Sequence, residues 1–145
     1  MIGREQILAM IPHQGVMCLW DRVLEWDADS IRWEAGNHCN LDHPLRADGR
    51  LHAVHLCEYG AQAMAVHGGL LARESGSIAP PGMLVALRGV ELHVSGLDGL
   101  AGELECHAQV LAQSPTTQQY GFRITHAGQL LAEGRAAVML NPGDN

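Results

Sequence analysis

Two residues between His43 and Leu71 can do acid–base chemistry together. His43 stands in a turn-rich loop, and Glu58 is a lone carboxylate in an otherwise apolar run. A carboxylate taken out of water is costly unless it is paired, neutralised or used, and burial raises its pKa so that it can hold a proton. An imidazole beside such an acid makes a pair that removes one proton and delivers another. The bland alternatives are a hydrogen-bonded structural acid for Glu58 and a merely exposed loop residue for His43. Gln62 lies one turn after Glu58 on a shared helix face; it orients the carboxylate or fills a gap in the core, and the sequence does not choose. His55, one turn before Glu58, is a second candidate imidazole or a part-exposed residue at a helix start. His67 is read as structural, satisfying a carbonyl near the helix end. His13, after Pro12, is read as packing or binding backbone.

These side chains need elements to place them. From Ala53 to Arg73 the chain is rich in Ala, Leu, Met and Gln and free of Pro, which predicts one long helix. Apolar residues on several faces predict that this helix is buried. Before it, Glu5 to Ile11 reads as a short helix stopped at Pro12. Val16 to Trp26 and Ser30 to Glu34 read as strands joined by the turn Asp27-Ala28-Asp29. Gly36 to Gly49 is a structured loop rich in Gly, Asn, Asp and Pro. After the helix, Glu74 through Pro80-Pro81-Gly82 is a connector and Asn141 to Asn145 a frayed tail. Strands are expected over Met83–Val94, Gly102–Gln113, Gln118–Ile124 and Leu130–Leu140, with a hairpin turn at His126-Ala127-Gly128-Gln129. One helix followed by an antiparallel meander predicts an α+β arrangement, a sheet wrapped around a central helix.

Composition narrows the function classes. The 145 residues predict one domain, 1–145, with a real core. A net charge of −7 and only 4% aromatic residues argue against nucleic-acid binding. No apolar run reaches the length of a membrane span, and the N-terminal residues lack a secretory pattern. Cys18, Cys39, Cys57 and Cys106 are scattered and read as reduced thiols, so the expectation is a cytoplasmic protein. His38, Cys39 and His43 lie close in sequence, but no second ligand pair stands at the spacing of a closed zinc site. No phosphate loop or Gly-x-Ser-x-Gly elbow is present. Neither metal nor organic cofactor is expected.

Three stretches carry a family likeness. Ile11-Pro12-His13-Gln14 with Leu19-Trp20-Asp21-Arg22-Val23-Leu24-Glu25 resembles the opening Pro-His stretch and Asp-Arg-Val strand of the hotdog-fold β-hydroxyacyl-acyl-carrier-protein dehydratases. His43-Pro44 and the helix EYGAQAMAVHGGLL from Glu58 resemble that family's catalytic loop and helix. GFRITHAGQLLAEGRAAVML resembles its last hairpin. The divergent branch of aryl-polyene and related fatty-acid-like pathways is the most similar. Pro44-Leu45 follows His43 where the family usually has Phe-Pro, and Leu51-His52-Ala53-Val54 replaces its Pro-Gly helix entrance.

The resemblance implies a hotdog fold and elimination of water from a 3-hydroxyacyl thioester to give a 2-enoyl thioester. It implies that His43 takes the proton from C2 and that Glu58 protonates the departing C3 hydroxyl. Backbone N–H groups around Ala53 and Val54 would bind the thioester oxygen at the positive end of the helix. The implied partners are an acyl carrier protein and a second hotdog subunit. That subunit is either a copy in a homodimer or higher homo-oligomer, or a paralogue, and His43 of one chain meets Glu58 of its neighbour. A carrier protein is acidic, so docking calls for a basic patch, for which Arg46, Arg50, Arg73 and Arg88 are the candidates. A hotdog thioesterase and a catalytically weak partner subunit of a heteromeric dehydratase stand as the alternatives.

Overall fold

The computed structural model describes residues 2–9, 18–39, 43–76 and 82–140. In chain order these form β1 (Ile2–Gly3), α1 (Arg4–Leu8), β2 (Arg22–Trp26), β3 (Ser30–Ala35), α2 (Leu56–Glu74), β4 (Gly82–Leu92), β5 (Leu104–Gln113), β6 (Thr117–His126) and β7 (Gln129–Leu140). Short 3-10 turns at Asn37–Cys39 and Ala53–His55 lead out of β3 and into α2. The seven strands make one antiparallel sheet in the order β1-β2-β3-β5-β6-β7-β4. This is the expected sheet around one helix. Pro12, His13, the start of the first expected strand, Pro80-Pro81 and the tail lie outside the described residues.

Period-two alternation sets which side of the sheet meets the helix. Ile31, Trp33 and Ala35 of β3 point inward, as do Leu104, Cys106 and Ala108 of β5 and Tyr120, Phe122 and Ile124 of β6. Trp20 stacks on Trp33 with ring centroids 3.7 Å apart and planes 10° apart. Trp20 also donates from Nε1 to the backbone oxygen of Tyr59 at 3.0 Å, tying the segment before β2 to the helix. The turn at Ala127-Gly128 has both residues at positive φ, 50° and 80°, as a tight hairpin requires.

The helix is buried on most of its circumference, but not all round. Through Leu70, the residues of α2 that escape burial are Glu58, Ala61, Ala65 and Gly68. Steps of three, four and three place them on one narrow stripe. The sheet curls around the rest of the helix and leaves this side only partly covered, with Glu58 exposed and the three small residues half-buried. Opposite the stripe, α2 comes so close to the sheet that a Cβ on Gly60 would stand 2.5 Å from Cγ of Phe122.

At the far end of the sheet, β4 has one neighbour, β7. Met83, Val85 and Leu87 on this edge are 69%, 52% and 41% exposed. No described helix is long and apolar enough to cross a membrane.

Candidate active site

The loop that carries His43 is held by one charged clamp. Asp48 and Gly49 take positive φ, 53° and 75°, and close a tight turn in which Ala47 and Arg50 exchange backbone hydrogen bonds of 2.8 and 2.9 Å. Arg46 then reaches across: its guanidinium donates to Asp98 Oδ1 at 2.6 Å and to the backbone oxygen of His38 at 2.7 Å. Asp98 accepts the Leu51 N–H with its other oxygen at 3.1 Å. The bonds from Arg46 and Leu51 hold the Asp98 carboxyl below the usual carboxylate range. One ion pair thus fixes the loop, the 3-10 turn after β3 and the approach to α2 against one another.

Arg46 is therefore not the surface cation that carrier docking calls for. Its side chain is 9% exposed and committed to the clamp. Arg50, Arg73 and Arg88 are exposed, on the loop, the end of α2 and the edge strand respectively.

His43 is buried, at 5% exposure, which removes the reading of a merely exposed loop residue. Its Nδ1 accepts the Leu45 N–H at 3.1 Å. A backbone N–H is always a donor, so Nδ1 carries no proton and the neutral ring carries it on Nε2. Nε2 lies 3.1 Å from the Tyr59 hydroxyl and donates to it. Tyr59 in turn donates to Asn37 Oδ1 at 2.8 Å. Burial raises the Tyr59 phenol well above its ordinary value, so it stays protonated and able to donate.

Glu58 corrects an expectation. It is exposed on this stripe of α2, so the burial expected of it is not supplied by its own chain. The physical reason is the incomplete wrap of the sheet. Tyr59, one residue on, faces the core and meets His43, whereas Glu58 points away from it. Within one chain, His43 and Glu58 do not form a hydrogen bond.

Ala53 also departs from expectation. Its N–H donates to the Ser95 oxygen at 3.1 Å and is not open to a thioester oxygen. The Val54 N–H remains in the first turn, where a helix offers no internal acceptor, and the Val54 side chain is 54% exposed. Gln62 is buried, and its Oε1 accepts the Leu19 N–H at 3.0 Å. No hydrogen bond joins it to Glu58 within the chain, and its oxygen serves the core. His55 sits half-buried in the 3-10 turn and makes no hydrogen bond to Glu58. His67 is structural as expected, but the carbonyl it serves is that of Asp27 in the β2–β3 turn, at 2.7 Å from Nε2.

His38, Cys39 and His43 do not converge on a point. His38 Nε2 contacts the Leu100 oxygen at 2.8 Å, Cys39 Sγ lies 3.4 Å from that nitrogen, and His43 faces Tyr59. Among the described residues, Glu91, His93 and Glu133 could surround an ion, on β4, just beyond its end and on β7. The residues missed by the sequence reading are Tyr59 and Asn37. An aromatic hydroxyl within an apolar helix was the available signal, since a buried Tyr O–H takes a partner.

The family described as ApeP-like, ApeP dehydratase, matches residues 5–144. The chain belongs to the ApeP-like dehydratase family. Membership of this family makes it a dehydratase, a hydro-lyase. The ApeP-like chain is similar in fold to the dehydratase heterocomplex ApeI:P from Xenorhabdus doucetiae, with TM-score 0.80 and 23% identity over 91% of this chain and 88% of that one. It is also similar to a hypothetical thioesterase protein of Streptococcus pneumoniae solved with coenzyme A, at TM-score 0.62, 13% identity and coverage of 86% and 88%. Zebra fish thioesterase superfamily member 2 gives TM-score 0.62 at 19% identity, with coverage of 97% and 100%. These likenesses show the hotdog fold of the ApeP-like chain. No curated protein matches it.

Proposed function

We propose that this chain, a single hotdog domain over residues 1–145, removes water from 3-hydroxyacyl thioesters carried on an acyl carrier protein. The setting is fatty-acid-like or aryl-polyene biosynthesis in the cytoplasm. The observation that carries the reading is the place of Glu58 in an ApeP-like dehydratase chain: an exposed carboxyl on the least covered stripe of the central helix. There it can reach a substrate and be enclosed by a second chain. A proton leaves C2, hydroxide leaves C3 and takes a proton from Glu58, and the electron pair of the C–H bond becomes the new C2–C3 double bond. The Val54 N–H is suited to the thioester oxygen as it gains charge.

The edge strand supports a composite site. A long edge with exposed Met83, Val85 and Leu87 favours pairing with another hotdog chain, a copy or a paralogue. In such a pair, His43 of one chain would serve the Glu58 of the other. One observation favours the second reading, a partner subunit of a heteromeric dehydratase. With Nδ1 filled by Leu45 and the proton on Nε2, His43 takes a proton from C2 only once the Leu45 N–H lets go.

Purified chain, alone and mixed with a paralogous hotdog subunit, is assayed on 3-hydroxyacyl carrier protein by the mass lost as water. Glu58→Gln is expected to lower turnover by roughly 10²–10⁴, the usual contribution of a positioned acid. Full activity in both Glu58→Gln and His43→Ala would sink the assignment of roles. Release of free thiol without enoyl product would select the thioesterase reading instead.

A further inference from the structure

The three side chains His43, Tyr59 and Asn37 come from three different elements: a loop, the central helix and the 3-10 turn leaving the sheet. Their hydrogen bonds all run in one direction. Leu45 N–H donates to His43 Nδ1, His43 Nε2–H donates to Tyr59 Oη, and Tyr59 O–H donates to Asn37 Oδ1. The Leu45 amide is the member whose polarity cannot reverse, and it sets the sense of the chain for as long as the ring stays turned toward it. Asn37 has a definite task at the far end. With its oxygen facing Tyr59, it draws the phenol proton away and leaves a lone pair turned toward His43.

We infer that Tyr59 and Asn37 are positioning residues that act together with the Leu45 N–H: they hold the His43 ring in the orientation that keeps Nδ1 on that amide and the proton on Nε2. The inference rests on His43 as the imidazole of the dehydratase site. It assigns to the apolar helix a second polar duty beside Glu58: adjacent residues face opposite ways, Glu58 toward substrate and Tyr59 toward the imidazole. The relay makes the neutral, Nε2-protonated imidazole the resting form. A second proton on the ring at Nδ1 would face the Leu45 N–H, donor against donor.

The relay sits among other groups that bear on its titration. Asp21, Cys39 and Cys106 act on the Tyr59 phenol in one direction, and Arg46 acts in the other. Cys106 comes from β5, Asp21 from the segment before β2, Cys39 from the 3-10 turn and Arg46 from the clamp. Burial holds the Cys106 thiol well above its ordinary value, so it stays neutral beside the relay.

The test reads protonation directly. In protein labelled with ¹⁵N-histidine, the His43 ring is assigned by its loss in His43→Gln, and long-range ¹H–¹⁵N spectra report which nitrogen bears the proton. Wild type is expected in the Nε2–H form. Tyr59→Phe keeps the ring and its packing but removes the acceptor, and Asn37→Leu removes the anchor; both let the His43 ring turn away from the Leu45 N–H and are expected to give mixed tautomers. On 3-hydroxyacyl carrier protein, Tyr59→Phe should lower kcat roughly tenfold to a hundredfold with KM within about twofold, as for one buried hydrogen bond left unmade. Asn37→Asp keeps the acceptor and adds a charge, so it should retain the tautomer and move the acid limb of the kcat/KM profile to higher pH.

Wild type in the Nδ1–H form would overturn the inference. So would variants that lose stability while the tautomer and pH profile stay as in wild type, which marks a purely structural role. Should Tyr59→Phe fail to fold, Asn37→Asp decides by the same two measurements. An absence of dehydration in every arm counts against the proposed function alone, because the spectra still judge the relay.

Discussion

Alanine at Gly60 is the perturbation with the most definite geometry. Its Cβ would stand 2.5, 2.6 and 2.8 Å from Cγ, Cδ2 and Cδ1 of Phe122, where carbon contact needs about 3.5 Å or more. The ring also lies close to Gly134. A Cβ built on Gly134 would lie 3.1 Å from Cζ of the same ring and 3.0 Å from Val90. The helix must therefore lift from the sheet by roughly 1 Å. Overpacking of this kind costs about 1–3 kcal/mol, and three contacts this short belong at the upper end. Alanine returns about 1 kcal/mol of helix propensity. The net loss is about 2 kcal/mol, or roughly 6–8 °C in Tm for a chain of this size. Urea unfolding at fixed protein concentration measures it. Phe122→Leu supplies the control: by making room it should leave the double variant less damaged than the sum of the two single ones. A neutral or stabilising Gly60→Ala, or strict additivity, would refute the steric argument. Turnover should fall as well, since Glu58 and Tyr59 ride on the same turn of helix.

Tyr120→Phe removes the hydroxyl that meets His67 Nδ1, leaving a buried nitrogen without that partner; thermal or urea unfolding should show a loss of about 1–3 kcal/mol. Asp98→Asn tests the loop clamp through pH. The Asp98 carboxyl is held below its ordinary 3.8 in the folded state, so its contribution is present above pH 3.8 and is lost as pH falls through the folded value. Asp98→Asn should therefore flatten the acid end of the stability profile below pH 3.8 and leave its slope at neutral pH unchanged.

The elements were legible because their periods were clean. Alternation marked β3, β5, β6 and β7, and an apolar run free of Pro marked α2. The site was legible only in part. Glu58 was read as buried because it sits among apolar neighbours, yet a sheet wraps only one side of a helix. The open side was written in the spacing of Glu58, Ala61, Ala65 and Gly68, four positions of one stripe that are small apart from the acid. Ala53 failed for a different reason. Its N–H is claimed by Ser95, some forty residues away, and no local pattern announces a backbone partner at that distance. Tyr59 and Asn37 were missed likewise, since the loop and the 3-10 turn that meet at the helix are distant from it in sequence.

The stacked indoles of Trp20 and Trp33 have a use unrelated to catalysis. Two indoles stacked 3.7 Å apart perturb one another's electronic transitions, so the near-ultraviolet circular dichroism band of the pair depends on how the two rings are set against each other. One ring belongs to β3, and the other is bonded to the backbone of Tyr59. The band is thus a built-in optical gauge of how the helix sits on the sheet, readable without a label while substrate, carrier or a second chain is added.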